Sequence, residues 1–446
     1  MQRCGDSSLF TVLIQSEDAS GSDHSMLRLI EGEDSELSWQ VDLGATEKIK
    51  AAPVIVDIDD DGRPEIVVAY DAGGALNVDV WSPRLSCSVT GWSYSGHSEE
   101  LLWSWNDDSL MISSNEGPYT SGILGGHKPT TQPLLADIDM DGDAELVIAA
   151  LDEVSEDPVV LALPLQVNGT PNSLWEVSLS KGSHPSDPAF AQVDDDTGYV
   201  ILTTIEANNG GMWVWKLDSE TGSSIWQGGL SLNNLDGDTN SPHVRLPGPI
   251  IANLDSDAEP EIIVTIPSDA DGSTAVDGAE FRGLEISDGS QLWEFEASNG
   301  FADAPPTAID TDGDGTHDRV CWNTWWQTTT DRHGAAGCHD VAGSTPNQEW
   351  AHDLEQSSGN PNDEIAVAAP TWMNIDSEDE PELLVSYGRS LWAFDGSSGS
   401  PAGINSEWSD EIELEHRTWS SPSLADIDGD ATLDIILGSM VVSMAM

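Results

Sequence analysis

The chain has 446 residues, 80 of them acidic and 15 basic, and carries a formal net charge of −65. A field of that sign repels nucleic acid phosphates and anionic membrane surfaces, which makes both poor partners, and no nucleic acid partner is expected. The hydrophobic fraction of 38% and the 18 tryptophans separate it from acidic disordered chains, and its length allows two or three ordinary domains or one repeat array with a continuous core. The acidity has two readings: carboxylates that hold divalent cations, and a solvation coat of the kind used in salt water, which covers the acidic residues outside the motif described next.

In chain order, MQRCGDSSLF lacks the basic start and apolar core of a secretory leader. Residues 3–13, RCGDSSLFTVL, look like the second half of an acidic loop comparable with DGDATLDIIL at 428–437. The first complete loop begins at Pro53, PVIVDIDDDGRPEIVVA. Related segments begin at Pro133 (PLLADIDMDGDAELVIA), Pro249 (PIIANLDSDAEPEIIVT), Pro306 (PTAIDTDGDGTHDRVCW), Pro370 (PTWMNIDSEDEPELLVS) and Pro422 (PSLADIDGDATLDIILG). A copy from Pro188, PAFAQVDDDTGYVILTT, keeps the strands and lacks the terminal carboxylate. The copies are spaced by about 50 to 80 residues, the size of one four-stranded blade.

A second marker repeats independently. Trp39, Trp103, Trp175, Trp226, Trp293, Trp350 and Trp408 each precede one of the prolines, in settings such as SDGSQLWEFE where a Gly/Ser turn leads into a short strand. Trp39 has no acidic loop before it and Pro422 no tryptophan after it, so the two ends joined make one blade. Between the markers lie short strand-like segments such as ALNVDVW, MWVWKLD and SLWAFDG, without helical periodicity.

The pattern predicts an all-β fold, a β-propeller of seven blades with four antiparallel strands each, closed by N- and C-terminal strands. A single domain would then span 1–446, with blade motifs near 53, 133, 188, 249, 306, 370 and 422 and residues 1–45 completing the last blade. Eight blades, one incomplete, is the alternative raised by residues 3–13. The longest apolar run, IILGSMVVSMAM, is too short to span a bilayer, so no direct membrane insertion is expected.

The acidic loops carry the chemistry. Counting the first acidic position as one, Asp137, Asp139 and Asp141 occupy positions one, three and five, and Glu145 position nine. Hard Ca²⁺ takes six to eight oxygens, and alternating side chains on a tight loop bent at Gly142 converge on one point. The equivalent sets are Asp57, Asp59, Asp61 and Glu65; Asn253, Asp255, Asp257 and Glu261; Asp310, Asp312, Asp314 and Asp318; Asn374, Asp376, Glu378 and Glu382; and Asp426, Asp428, Asp430 and Asp434. Up to six Ca²⁺ sites follow, the copy near Gln192 being expected to bind nothing. An EF-hand is excluded, because position twelve is Val68, Ile148, Val264, Cys321, Val385 or Leu437 on a strand-forming segment, not a glutamate on a helix. Mg²⁺ fits less well, since it keeps its own waters.

Cys4, Cys87, Cys321 and Cys338 contain no C-x-x-C pair and fit no zinc pattern. Cys321 and Cys338 flank a turn-like segment and either face each other across neighbouring strands as a disulfide, which would imply an oxidising compartment, or stay unpaired thiols.

The pattern of proline, apolar strand, D-x-D-x-D-G-x-x-E/D and apolar strand resembles the FG-GAP or VCBS repeats of the integrin-α N-terminal propeller and its prokaryotic relatives. It covers nearly the whole chain, without clean phenylalanine-glycine or glycine-alanine-proline signatures. The resemblance implies Ca²⁺ in the hairpin between the first two strands of a blade, and action at cell surfaces in adhesion or recognition.

The expected function is non-catalytic, extracellular or cell-surface recognition of a protein or glycan ligand at one propeller face. Quinoprotein propellers share the Gly-x-x-x-Trp strands, but no basic cluster for quinone carboxylates is evident, and the tryptophans read as packing wedges. The enzyme alternative is a calcium-dependent polysaccharide lyase, with His127, His184, His243 and His416, Arg245 and Arg417 in the connections between blades.

Overall fold

The computed structural model describes residues 10–18, 23–31, 37–43, 51–59, 65–72, 75–82, 86–88, 91–93, 100–112, 131–155, 157–166, 169–182, 184–205, 211–231, 246–257, 259–268, 278–297, 300, 302, 304–327, 332–354, 368–374, 381–396, 399, 411–414, 417–418, 420–425, 434–437 and 439–440. Every regular element among them is a strand, and no helix is long and apolar enough to cross a membrane.

Each motif proline immediately precedes a three- to six-residue strand, as in Val54–Val56, Leu134–Ala136 or Ala189–Asp194. The acidic loop turns the chain into a longer antiparallel strand, such as Glu145–Asp152, which pairs in turn with Pro158–Pro164 and then with Trp175–Ser178. The same order of four recurs in the sheets that begin after Pro53, Pro188, Pro249, Pro306 and Pro370.

These central strands read as continuous apolar runs because both faces are covered. Leu146, Ile148 and Ala150 of one strand join a core with Val67, Ala69, Leu76 and Val78 of the preceding sheet. Their alternates Val147 and Ala149 join Val200, Leu202, Trp215 and Leu217 of the following one. Further cores join the Pro188 and Pro249 sheets, the Pro249 and Pro306 sheets, and the Pro306 and Pro370 sheets. Sequential four-stranded sheets stacked face to face in chain order are the blades of a β-propeller.

The tryptophan marker is a joint between blades. Trp175 Nε1 donates to Ser219 O at 2.8 Å, Trp226 Nε1 to Ile286 O at 3.0 Å and Trp103 Nε1 to Gln166 O at 2.5 Å, each acceptor lying in the next sheet. The turn glycine of that next sheet makes room for the indole: at Gly222, with φ +68°, a Cβ would lie 2.6 Å from Trp175 Cε3. This is the packing role expected of these tryptophans; Trp293 is buried with its Nε1 unpartnered among the described residues, and Trp408 lies outside them.

A second joint lies just before the motif prolines. Ala52 N–H donates to Gln132 Oε1 at 2.5 Å, Gln132 N–H to Asp187 Oδ1 at 2.7 Å, and Ala369 N–H to Ser421 Oγ at 2.9 Å. In each case the residue preceding one motif proline is held by the side chain preceding the next. Pro305, in the same position, has no N–H to satisfy.

The termini form Phe10–Asp18, Asp23–Glu31 and Leu37–Asp42 as a three-stranded sheet, and Ser423–Ala425 with Asp434–Ile436 as a two-stranded one. No strand pair joins these two sheets among the described residues. Cys321 and Cys338 pair directly across neighbouring strands and are disulfide-bonded, with Cα atoms 4.1 Å apart.

Candidate metal centre

The strand-loop-strand geometry brings three or four carboxylates together in each of four loops. Asp57, Asp59 and Glu65 form one set, Asp137, Asp139 and Glu145 a second, Asp255, Asp257, Glu261 and Glu285 a third, and Asp310, Asp312 and Asp314 a fourth. In each set one oxygen per residue lies within 4.8 Å of the others. At that separation two unit charges repel by roughly 1 to 3.5 kcal/mol, depending on whether the surroundings respond like water or like a protein surface.

The position-nine carboxylate is built in the same way throughout. It opens the second strand, or in Asp318 directly precedes it, and one of its oxygens accepts the backbone N–H of position two: Ile58 to Glu65 at 3.0 Å, Ile138 to Glu145 at 2.9 Å, Leu254 to Glu261 at 2.5 Å and Thr311 to Asp318 at 3.0 Å. This bond closes the loop, and Glu65, Glu145 and Glu261 are buried, as is Glu382 at the same position, whereas Asp318 is half-buried.

Burial without a countercharge shows in their proton affinity. Desolvation, reinforced by the loop aspartates, pushes Glu145 and Glu261 up from 4.5 to about 7, and raises Glu65 as well. Desolvation by burial, with Asp255 and Asp257 nearby, also raises Glu285. Asp310 runs the other way, lowered by the N–H groups of Gly315 and Gly313 that point at it.

The loop backbones explain the bend. Gly142 and Gly315, both at position six, have φ of +98° and +95°. Position four is left-handed too, as Gly313 at +75° and as Met140 at +59°. Glycine reaches this region without a Cβ clash; Met140 does so under strain.

Not every sequence candidate enters a cluster. Asp141 Oδ1 accepts the N–H of Asp143 at 2.9 Å, and Asp318 Oδ2 accepts the Thr311 hydroxyl at 2.5 Å; neither residue joins the converging set of its loop. Asn253 turns its Nδ2 to Gly315 O of the neighbouring loop at 2.7 Å. Asn374 is exposed at the end of its strand segment, and Asp434 opens the strand Asp434–Ile436. Asp61, Asp376, Glu378, Asp426, Asp428 and Asp430 lie outside the described residues, as do His127, His243, His416 and Arg245. Glu285 was missed by motif reading because it lies outside the loop, directly after the third strand of its blade, Gly278–Leu284.

The donor sets fit a hard cation. Asp137 Oδ1, Asn253 Oδ1 and Glu261 Oε1 are buried oxygens without a hydrogen-bond partner among the described residues. Buried polar atoms are nearly always paired, and three orphaned acceptors in acidic loops are of the donor type that a hard cation could take.

No family model matches the chain, and no curated protein sequence does. Among solved structures it is similar to BamB from Moraxella catarrhalis, at 12% identity over 94% of each chain with a TM-score of 0.48. It is similar to the rhamnogalacturonan lyase YesW at 14% identity, over 97% of this chain and 74% of that one, with a TM-score of 0.44. It is similar to the Dos1 propeller at 11% identity, over 84% of this chain and 72% of that one, with a TM-score of 0.40. These likenesses carry nothing about activity, and the fold rests on the order and packing of the sheets themselves.

Proposed function

We propose that this protein is a calcium-stabilised β-propeller of the FG-GAP or VCBS type that presents a recognition face to a protein or glycan outside the cell. The observation that carries the metal reading is the set of buried, unpartnered oxygens on Asp137, Asn253 and Glu261 inside converging carboxylates. Ca²⁺ held there by Asp57, Asp59 and Glu65, by Asp137, Asp139 and Glu145, and by the Asn253 and Asp310 loops would neutralise their mutual repulsion and pin each hairpin. The Asn374 and Asp426 loops repeat the same donor pattern in sequence. The Cys321–Cys338 bond supports an oxidising compartment, and the strongly acidic surface supports a role away from nucleic acids and anionic lipids.

Two measurements test this. Thermal unfolding should shift upward in millimolar Ca²⁺ and fall back with chelator, each site adding about 2.7 kcal/mol at one hundred times its Kd; an unchanged transition in low-salt buffer removes the metal reading. A protein and glycan binding screen should return a ligand held without turnover. Release of unsaturated product from an acidic polysaccharide would replace recognition with lyase chemistry.

A further inference from the structure

In the Pro53 sheet the residue opposite the position-nine carboxylate is Ser82, whose hydroxyl donates to Glu65 Oε1 at 3.0 Å. That carboxylate is thereby fully partnered, one oxygen by Ile58 N–H and the other by the serine. The Pro249 sheet has the same register. Ile262 stands opposite Leu284, the last residue of the third strand, so Glu285, which follows it, lies beside Glu261. Here the hydroxyl donor is replaced by a second carboxylate.

Like charges in that relation destabilise a sheet, and Glu261 cannot relieve the contact by moving outward. It is 0% exposed, Leu254 N–H holds its Oε2, and its Oε1 has no partner among the described residues. Glu285 brings an oxygen within 4.8 Å of those of Asp255, Asp257 and Glu261. The orphaned acceptor, the serine-to-glutamate exchange and the convergence of four carboxylates all call for a cation between the second and third strands.

We propose that Glu285 is a metal ligand of the Asn253 loop, supplying from outside the repeat motif a fourth carboxylate that makes this site bind Ca²⁺ more tightly than the three-carboxylate loop at Asp137. The inference rests on the calcium reading above and adds a residue that the motif does not contain. Affinity in oxygen cages rises with the number of charged ligands. Asn253 at position one is neutral, so Glu285 restores the charge that an aspartate provides at Asp137. The asparagine in turn has an N–H to spend on Gly315 O of the next loop, which an aspartate lacks.

The test is calorimetric titration of the full-length chain with Ca²⁺, with Tb³⁺ luminescence as an independent count of sites, on wild type, Glu285→Gln, Glu285→Ser and Asp139→Asn. The expected result is that both Glu285 variants weaken one tight binding step at least tenfold and leave the remaining steps in place, while Asp139→Asn weakens a different, looser step. The two Glu285 variants, relieved of the carboxylate pair, should unfold in chelator at no lower urea concentration than wild type, which separates ligand loss from misfolding. Wild-type binding with every step unchanged in the Glu285 variants overturns the proposal and leaves the calcium reading standing. So does weakening of all steps together with a drop in chelator-state stability. Absence of any Ca²⁺ or Tb³⁺ binding by wild type overturns both.

Discussion

Replacing Glu261 by glutamine should move stability in opposite directions with and without metal. The glutamine oxygen can still accept Leu254 N–H, while its new N–H₂ faces the acidic cluster in place of an unpartnered oxygen. In the metal-free protein the carboxylate keeps its proton up to about 7, against an ordinary value of 4.5. Below pH 4.5 the group is protonated in folded and unfolded chains alike. Between 4.5 and 7 the unfolded chain releases the proton first, so stability is lost as pH rises through that window, by roughly 3 kcal/mol in all, and changes no further above it.

Glutamine has no proton to lose. At pH 8 in chelator the variant should therefore be more stable than wild type by roughly 2 to 3 kcal/mol, the gain shrinking to near zero at pH 4.5. With Ca²⁺ the order should reverse, because the variant has lost a charged ligand. The assay is urea unfolding at pH 4.5, 6 and 8 with chelator or Ca²⁺, read as the difference between variant and wild type. That difference matters because His339, buried and lowered from 6.5 to about 4, acts in the opposite sense: its contribution is lost as pH falls from 6.5 towards 4. A variant less stable than wild type in chelator at pH 8, by the same amount as at pH 4.5, would refute the charge argument and make Glu261 a packing residue.

The joints between blades give two further tests. Asp187→Ala removes the acceptor of Gln132 N–H and should cost about 1 to 3 kcal/mol in urea unfolding with Ca²⁺ affinity unaltered; a loss of affinity would mean that this joint also shapes the metal loops. Gly399→Ala puts a Cβ 2.1 Å from Trp350 Cδ2 at a residue with φ of +60°, so it should destabilise by at least 2 kcal/mol and shift tryptophan emission, whereas Gly343→Ala, with open space around it, should do neither.

The blade pattern was legible because two short-range signals agree: a proline that starts each inner strand, and apolar runs too continuous for a one-faced sheet, as in Glu145–Asp152. The converging carboxylates of four loops were legible for the same reason, since their spacing is local. What sequence could not show depends on neighbours across strands. Glu285 reaches the Asn253 loop only through the register that sets it opposite Glu261. Asp318, an aspartate where Glu145 and Glu261 carry one more methylene, and Asp141 stay outside the converging sets of their loops. The joint before the prolines was hidden because its members, Ala52, Gln132, Asp187, Gly248, Pro305, Ala369 and Ser421, share a position and no chemistry.

The tryptophan joints have a direction. Trp103 finds its acceptor 63 residues later in the chain, Trp175 44 later, Trp226 60 later and Trp350 46 later. On a chain growing from its N-terminus, these four indoles therefore have no acceptor until the turn of the following blade has been made. A cut after any of these four blades leaves behind an open indole with no carbonyl to receive it.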